Sequence, residues 1–218
     1  MPPYRLLSGI LLPCLLLACA PLPPAAEQPV APPAPAPLPP TLSASAGSNP
    51  GMPQFAPTAL IDEASALTRR FVGTLLPTLQ GAMAVGGPVG AIEVCAVEAP
   101  RIARILSEES GWEVKRVSLK ARNSSSATPD GWETQVLSVF DLRQQAGEAP
   151  ATLNVAEVVN GRFRYMQAQA AQPLCLTCHG SNISADVKAA IARKYPNDMA
   201  TGYREGQIRG AISLSREM

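Results

Sequence analysis

Two cysteines, Cys175 and Cys178, stand three residues apart, and His179, the chain's single histidine, follows the second at once. Two thiols and an imidazole at that spacing can do four kinds of chemistry. They can add to the two vinyl groups of a haem while the imidazole reaches the iron from below. With a distant fourth ligand they can hold a structural zinc ion, although adjacent Cys178 and His179 rarely both meet one tetrahedral metal. They can cycle as a dithiol, which in thioredoxin-like proteins needs a parallel βαβ setting. Or they can close a small disulfide beside an inert surface histidine. Haem attachment uses every part of the motif and is the preferred reading; zinc, dithiol and disulfide stand behind it.

With His179 alone, the chain cannot supply bis-histidine ligation, so the sixth position on a haem iron is open, taken by methionine, or taken by something rarer. Met83, Met166 and Met199 are candidates, each equally readable as a core or surface residue. Cys95 is another, in an apolar segment of helical spacing after Glu93-Val94. Its plain alternative is a buried thiol packing like a small hydrophobe. Of the five cysteines, Cys14 leaves with a signal peptide and Cys19 is placed for lipidation, so Cys95, Cys175 and Cys178 remain and one thiol is odd.

The signal peptide follows from Arg5 and the apolar run Leu6–Ala18, which has the length of a secretory core and is too short for a membrane span. Leu16-Leu17-Ala18-Cys19 looks like a bacterial lipobox, with Cys19 diacylated as the first mature residue; an ordinary cleavage site is the alternative. Acyl chains on Cys19 would anchor the protein, at about 0.8 kcal/mol per buried methylene. Ala20 is not the aspartate that retains lipoproteins at an inner membrane, which favours the outer one. Export carries the motif to the periplasmic side, where c-type haem is attached. Residues 19–57 are rich in Pro and Ala without a period and read as a disordered tether, extending about 3.1 Å per residue where polyproline II. A formal charge of +1, from 18 basic against 17 acidic residues, argues against nucleic-acid binding.

Residues 58–218 must then position the motif. Thr58 caps a helix with Leu60, Ala64, Leu67, Phe71, Leu75 and Leu76 at helical spacing. Pro77 bends or ends it, Gly86-Gly87-Pro88 breaks the chain, a second short helix carries Cys95, and another begins at Pro100 and stops before Gly111. Alternation then predicts strands around Val114, Val117 and Leu119, and around Val136, Leu137, Val139 and Phe140. "RNSSSATPDG" connects them. Leu153–Val159 and Arg162–Met166 flank Asn160-Gly161, a hairpin signal, and "GQIRGAISLS" is a last strand. A helix over 185–195 lies between. Helices first, then an antiparallel sheet with a helical insertion, read as α+β.

The segments "GPVGAIEVCAVEAPRIARILSEESGWEVKRVSLKARN", "DGWETQVLSVF", "CLTCHG" and "YPNDMATGYREGQIRGAISLS" together resemble the haem-c-binding, PAS-like domain family long catalogued as a domain of unknown function. The likeness covers about Leu60 to Ser215. It implies a PAS-like antiparallel sheet flanked by helices, and one covalent haem c bound through Cys175 and Cys178. The iron would lie between His179 and Cys95, which stands where the family has the cysteine of its "AIxxC" segment. Members are secreted or form extracytoplasmic input domains of signalling proteins. Ser124 after Asn123 is a departure, since the family usually has Pro there. The implied role is redox or gas sensing with an unidentified protein partner; simple electron transfer in the periplasm is the alternative. No acid–base constellation points to an enzyme. Arg101, Arg104, Arg116, Lys120, Arg122 and Arg204 are candidate partners for haem propionates, Trp112 and Trp132 read as strand-end packing, and Tyr195 and Tyr203 as pocket walls.

Overall fold

The computed structural model describes residues Pro57–Met218. The signal peptide, Cys19 and the tether up to residue 56 lie outside the described residues.

The first element is α1, Pro57–Ser110, one helical run with a single break in its backbone at Gly87. Pro88 supplies no N–H and its ring disfavours helical geometry in the residue before it. Gly87 absorbs the conflict at φ 61°, ψ −168°, a region essentially reserved for glycine. The break expected at Gly86-Gly87-Pro88 is therefore present. Pro77 and Pro100 sit inside continuous helix, so neither the stop at Pro77 nor the separate helix from Pro100 is formed. Packing outweighs the lost amides: Ala64, Leu67 and Phe71 before the kink and Ile102 and Leu106 after it enter one core cluster. Gly111, at φ 71°, ends the helix with its N–H donated to Ser107 O at 3.0 Å.

Four strands, β1 (Glu113–Val117), β2 (Asn154–Val159), β3 (Arg162–Ala170) and β4 (Ile208–Glu217), form an antiparallel sheet in the order β1-β4-β3-β2. The β2–β3 hairpin turns on Asn160 (φ 53°) and Gly161 (φ 78°), the pair of positive φ values that Asn-Gly favours. Leu119, expected in the first strand, lies beyond β1 and is exposed.

Alternating strand residues split the core in two. Trp112, Val114, Phe163, Tyr165, Ile212 and Leu214 face α1, with Trp112 edge-on to Phe163 at 5.8 Å. Val117, Met166, Ala168 and Ala211 pack instead with Val136, Leu137 and Phe140 of α3, Gly131–Gln145. That segment corrects the strand expected around Val136–Phe140. Asp130 and Glu133 form a capping box that starts a helix, and Glu133, Val136, Leu137 and Phe140 are its buried face. Glu133 is fully buried, 2.6 Å from Ser213 Oγ, 3.1 Å from Lys115 Nζ and 3.2 Å from Arg164, so one carboxylate ties α3 to β4, β1 and β3. Trp132 is likewise helical, with Nε1 donating to Glu157 at 2.8 Å, not strand-end packing.

Three shorter helices complete the chain: α2 (Ser124–Ala127), inside the expected polar connection, α4 (Pro173–His179) and α5 (Ala185–Lys194). Val187, Ala190 and Ile191 of α5 pack on Ile92 of α1. The fold is α+β, a four-stranded antiparallel sheet flanked by helices.

Candidate functional site

The Cys-x-x-Cys-His run is itself α4. Pro173 occupies its first turn, where a missing N–H costs nothing, so the helix starts directly after β3 and Gln172. One helical turn brings Cys175, Cys178 and His179 to neighbouring positions. Gly180 ends the helix, donating to Leu176 O at 2.9 Å; a Cβ at 180 would run into that carbonyl, so the residue after His179 must be small.

A loop over 198–203 staples this end. Tyr203 N donates to His179 O and Gly202 N to Gly180 O, both at 2.9 Å. Arg122 reaches in from beyond β1, donating to Cys178 O at 2.5 Å and pairing with Asp198 at 3.1 Å. Asp198 in turn accepts from Ala200 N at 2.9 Å, and Ala200 O lies 2.7 Å from His179 Nδ1. A carbonyl only accepts, so Nδ1 carries the imidazole proton and the free lone pair is on Nε2. Arg209 Nε stands 3.2 Å from the same Nδ1. With that proton committed to Ala200, Arg209 is packed against the ring and does not share a second hydrogen bond. Burial, reinforced by the positive charges of Arg209 and Arg122, holds His179 neutral well below its ordinary titration range.

His179, Cys175 and Cys178 line one cavity of about 470 Å³. Phe71, Leu75, Leu76, Leu79 and Met83 of α1 form an apolar wall ahead of the kink. Beyond it Ala91, Cys95, Ala96, Ala99 and Ala103 line the space, small side chains that leave room beside the helix. Gln169, Ala170 and Ile212 reach it from the sheet, and Arg116 and Arg209 bring charge from β1 and β4. The cysteines are free thiols. Burial pushes the Cys95 thiol pKa up, against the opposing pull of Arg116; Cys178 is also pushed up by burial, against Arg122.

The structure thus brings together Cys95, Cys175, Cys178 and His179, which are separated by up to 84 residues in the sequence. Met83 shares the cavity, whereas Met166 is buried on the α3 side of the sheet and Met199 is exposed outside it. Tyr195 is a wall; Tyr203 packs instead against His179, ring centres 6.4 Å apart. Arg104, Arg116 and Arg122 line the space, but Arg101 pairs with Glu98, Lys120 lies over Tyr203 and donates to Thr201 O, and Arg204 is exposed. Spacing gives Arg209 no special mark; its one signal is a charge beside Gly210 at the start of β4, ahead of the apolar Ala211, Ile212 and Leu214. Among the described residues, no three His, Cys, Asp or Glu side chains converge on a point that could hold a metal ion, so they offer the zinc alternative no ligand set.

Comparison with solved structures finds the crystal structure of the cyanobacterial heme-protein Tll0287, at a TM-score of 0.55 and 24% identity, covering 74% of this chain and 94% of that one. That likeness is one of fold. No curated protein matches the chain. A model of the Tll0287-like family matches residues 46–216, most of the sequence and all but the last two described positions. The chain belongs to the Tll0287-like domain family, as its sequence segments imply.

Proposed function

We propose that the cavity holds one haem c, joined through thioethers to Cys175 and Cys178, with His179 as proximal and Cys95 as distal iron ligand. The observation that carries this is the convergence of all four residues on one mostly apolar cavity, whose volume of about 470 Å³ lies within the roughly 300–1,000 Å³ of cofactor sites. The similar cyanobacterial structure is that of a heme-protein, which supports the same reading. The residues present fit the group: two thiols within one helical turn of a neutral imidazole, a free Nε2 lone pair, small side chains beside Cys95, and cations for carboxylates.

A haem would supply a one-electron iron centre and, where a coordination position is free, a gas-binding site. Ala200 fixes the tautomer and orientation of His179. As a thiolate, Cys95 would favour the more highly charged metal and so would hold the potential low. Loss of Cys95 as a ligand on reduction could shift the stretch of α1 around it, between Ile92 and Ile102, and so convert an electron or a gas molecule into a conformational signal. We therefore read the protein as a redox or gas sensor, not an enzyme. It would be anchored through lipidated Cys19 on the periplasmic side of a bacterial membrane, with the outer membrane favoured, and would pass its signal to another protein. One observation favours plain electron transfer as a second reading: exposed Arg104 and Ser126 border the cavity, so a haem edge would be accessible there.

Protein made with a cytochrome c maturation system should keep a haem-stained band on a denaturing gel; a colourless band overturns the proposal. The ferric absorption and EPR spectra should show thiolate ligation that disappears in Cys95→Ser. A methionine-type spectrum, or one unchanged in that variant, rules out Cys95. Loss of the thiolate on reduction suits the sensor, and reversible cycling with unchanged ligands the carrier.

A further inference from the structure

Five cationic side chains line the cavity, and their pairing separates them into two groups. Arg104 pairs with Glu108 at 2.8 Å, Lys115 with Glu133 at 3.1 Å, and Arg122 with Asp198 at 3.1 Å. Arg116 and Arg209 have no carboxylate partner among the described residues. Arg209 touches only uncharged groups, donating to Ser118 Oγ at 3.2 Å and standing 5.4 Å from the centre of the Tyr203 ring, besides its contact with neutral His179. For Arg116 the facing titratable groups are the thiols of Cys95 and Cys175 and the phenol of Tyr195.

Both guanidiniums line the same cavity. They project from adjacent strands, β1 and β4, with Arg116 opposite Ile212 in the register, three residues along β4 from Arg209. Burial, followed by repulsion from Arg116, lowers the Arg209 pKa to about 10, and burial also lowers that of Arg116. A pair of half-buried cations that repel one another destabilises the fold unless an anion sits between them. A planar guanidinium offers paired donors that match a carboxylate.

We infer that Arg116 and Arg209 form a two-guanidinium seat for the two carboxylates of the cofactor in this cavity. The inference rests on the haem reading, because haem carries two propionates on one edge of its ring, and Arg116 and Arg209, on adjacent strands, are the two cavity cations that no carboxylate pairs among the described residues. Arg122 is excluded, its donors being committed to Asp198, Cys178 O and Ala200 O.

The test compares protohaem with its dimethyl ester in the full chain carrying Cys175→Ala and Cys178→Ala, where binding is reversible. A hydrogen bond to a charged group is worth about 1.5–3 kcal/mol, so each guanidinium should favour the diacid by roughly 10- to 100-fold. Arg116→Met and Arg209→Met should each remove that share, and Arg→Lys at either position should keep part of it. In the covalently loaded protein, the resonance-Raman bending bands of the propionates should shift in both Met variants, which keeps the test decisive if the double-cysteine variant takes up neither porphyrin. Equal binding of diacid and ester, or unmoved bands in both variants, overturns the seat. If Arg116 serves instead as counter-charge to Cys95, R116M will alter the thiolate spectrum and leave the diacid preference intact, which also overturns it. A haem-stained band without discrimination defeats this inference alone; no haem at all defeats the functional reading and the seat together.

Discussion

His179 is held neutral by burial and by two neighbouring arginines, and that neutrality has a thermodynamic consequence in protein made without haem. Its folded pKa lies well below the unfolded value of about 6.5, so as pH falls through that value the unfolded chain takes up a proton that the folded chain refuses. Stability contributed by the neutral ring is present above about pH 6.5 and is lost as pH falls toward the depressed folded pKa, by at most about 1.4 kcal/mol per pH unit. Urea unfolding of the apoprotein between pH 7 and 5 should show this loss, and His179→Gln should flatten it. An equally steep loss in the variant would assign the effect to other groups. Legibility at this scale divides by whether a role is local. Cys175, Cys178 and His179 announce themselves because their chemistry needs fixed sequence spacing, and Cys95 because an odd thiol remains. Arg209 does not, since its meaning comes from three strangers in sequence, His179, Ser118 and Tyr203, that only folding brings to it.

The elements that hold these residues were legible where one force dominated and misread where two competed. Asn160-Gly161 dictates a hairpin by backbone preference alone, and the structure has it. Val136, Leu137, Val139 and Phe140 fit both an alternating and a helical pattern; the deciding signal was Asp130 and Glu133, a capping box three residues apart, and Val139 is exposed as the helical solution requires. Pro100 favours a helix start, but Ile102 and Leu106 gain more by staying on the continuous α1 face against the sheet. The kink at Gly87 is therefore the one real joint in α1, with Cys95 on its far side. Gly87→Ala should cost about 1–3 kcal/mol, the price of a left-handed, fully extended backbone for an alanine. Nothing lies within 4 Å of the Cβ it would add, so no steric clash contributes. Gly86→Ala, equally uncrowded but without a positive φ, should be neutral or stabilising by about 0.5–1 kcal/mol. Unfolding free energies from urea titration separate the two, and equal effects would mean that the joint is not set by the Gly87 backbone.

On the scale of the whole molecule, α1 poses a packing problem that the cavity resolves. It contains a window of mean hydropathy 1.4, long and apolar enough to cross a membrane, yet only 11% of that window is buried. A core helix would bury such a stretch. Here Met83, Cys95, Ala96 and Ala99 of that stretch are only half-buried and face the cavity that His179 also lines, as do the half-buried Leu75, Leu76 and Leu79 just ahead of it. On the proposed function, the apolar excess is one wall of the cofactor site, and a ligand that covers it adds stability in proportion to the area removed from water. The sequence carried the α+β class and the helical spacing of this wall, but not its exposure, because spacing says which residues share a face and not what covers it. If a haem covers it, the apoprotein should brighten a dye that fluoresces on apolar surface, and the loaded protein should not, with a higher melting temperature after loading. Leu79→Gln in the wall should dim the dye in the apoprotein without removing the covalent haem band, since Cys175 and Cys178 lie on another element. Equal dye fluorescence with and without haem would mean that this face of α1 serves a different apolar partner, and the cavity would then need a smaller occupant than haem.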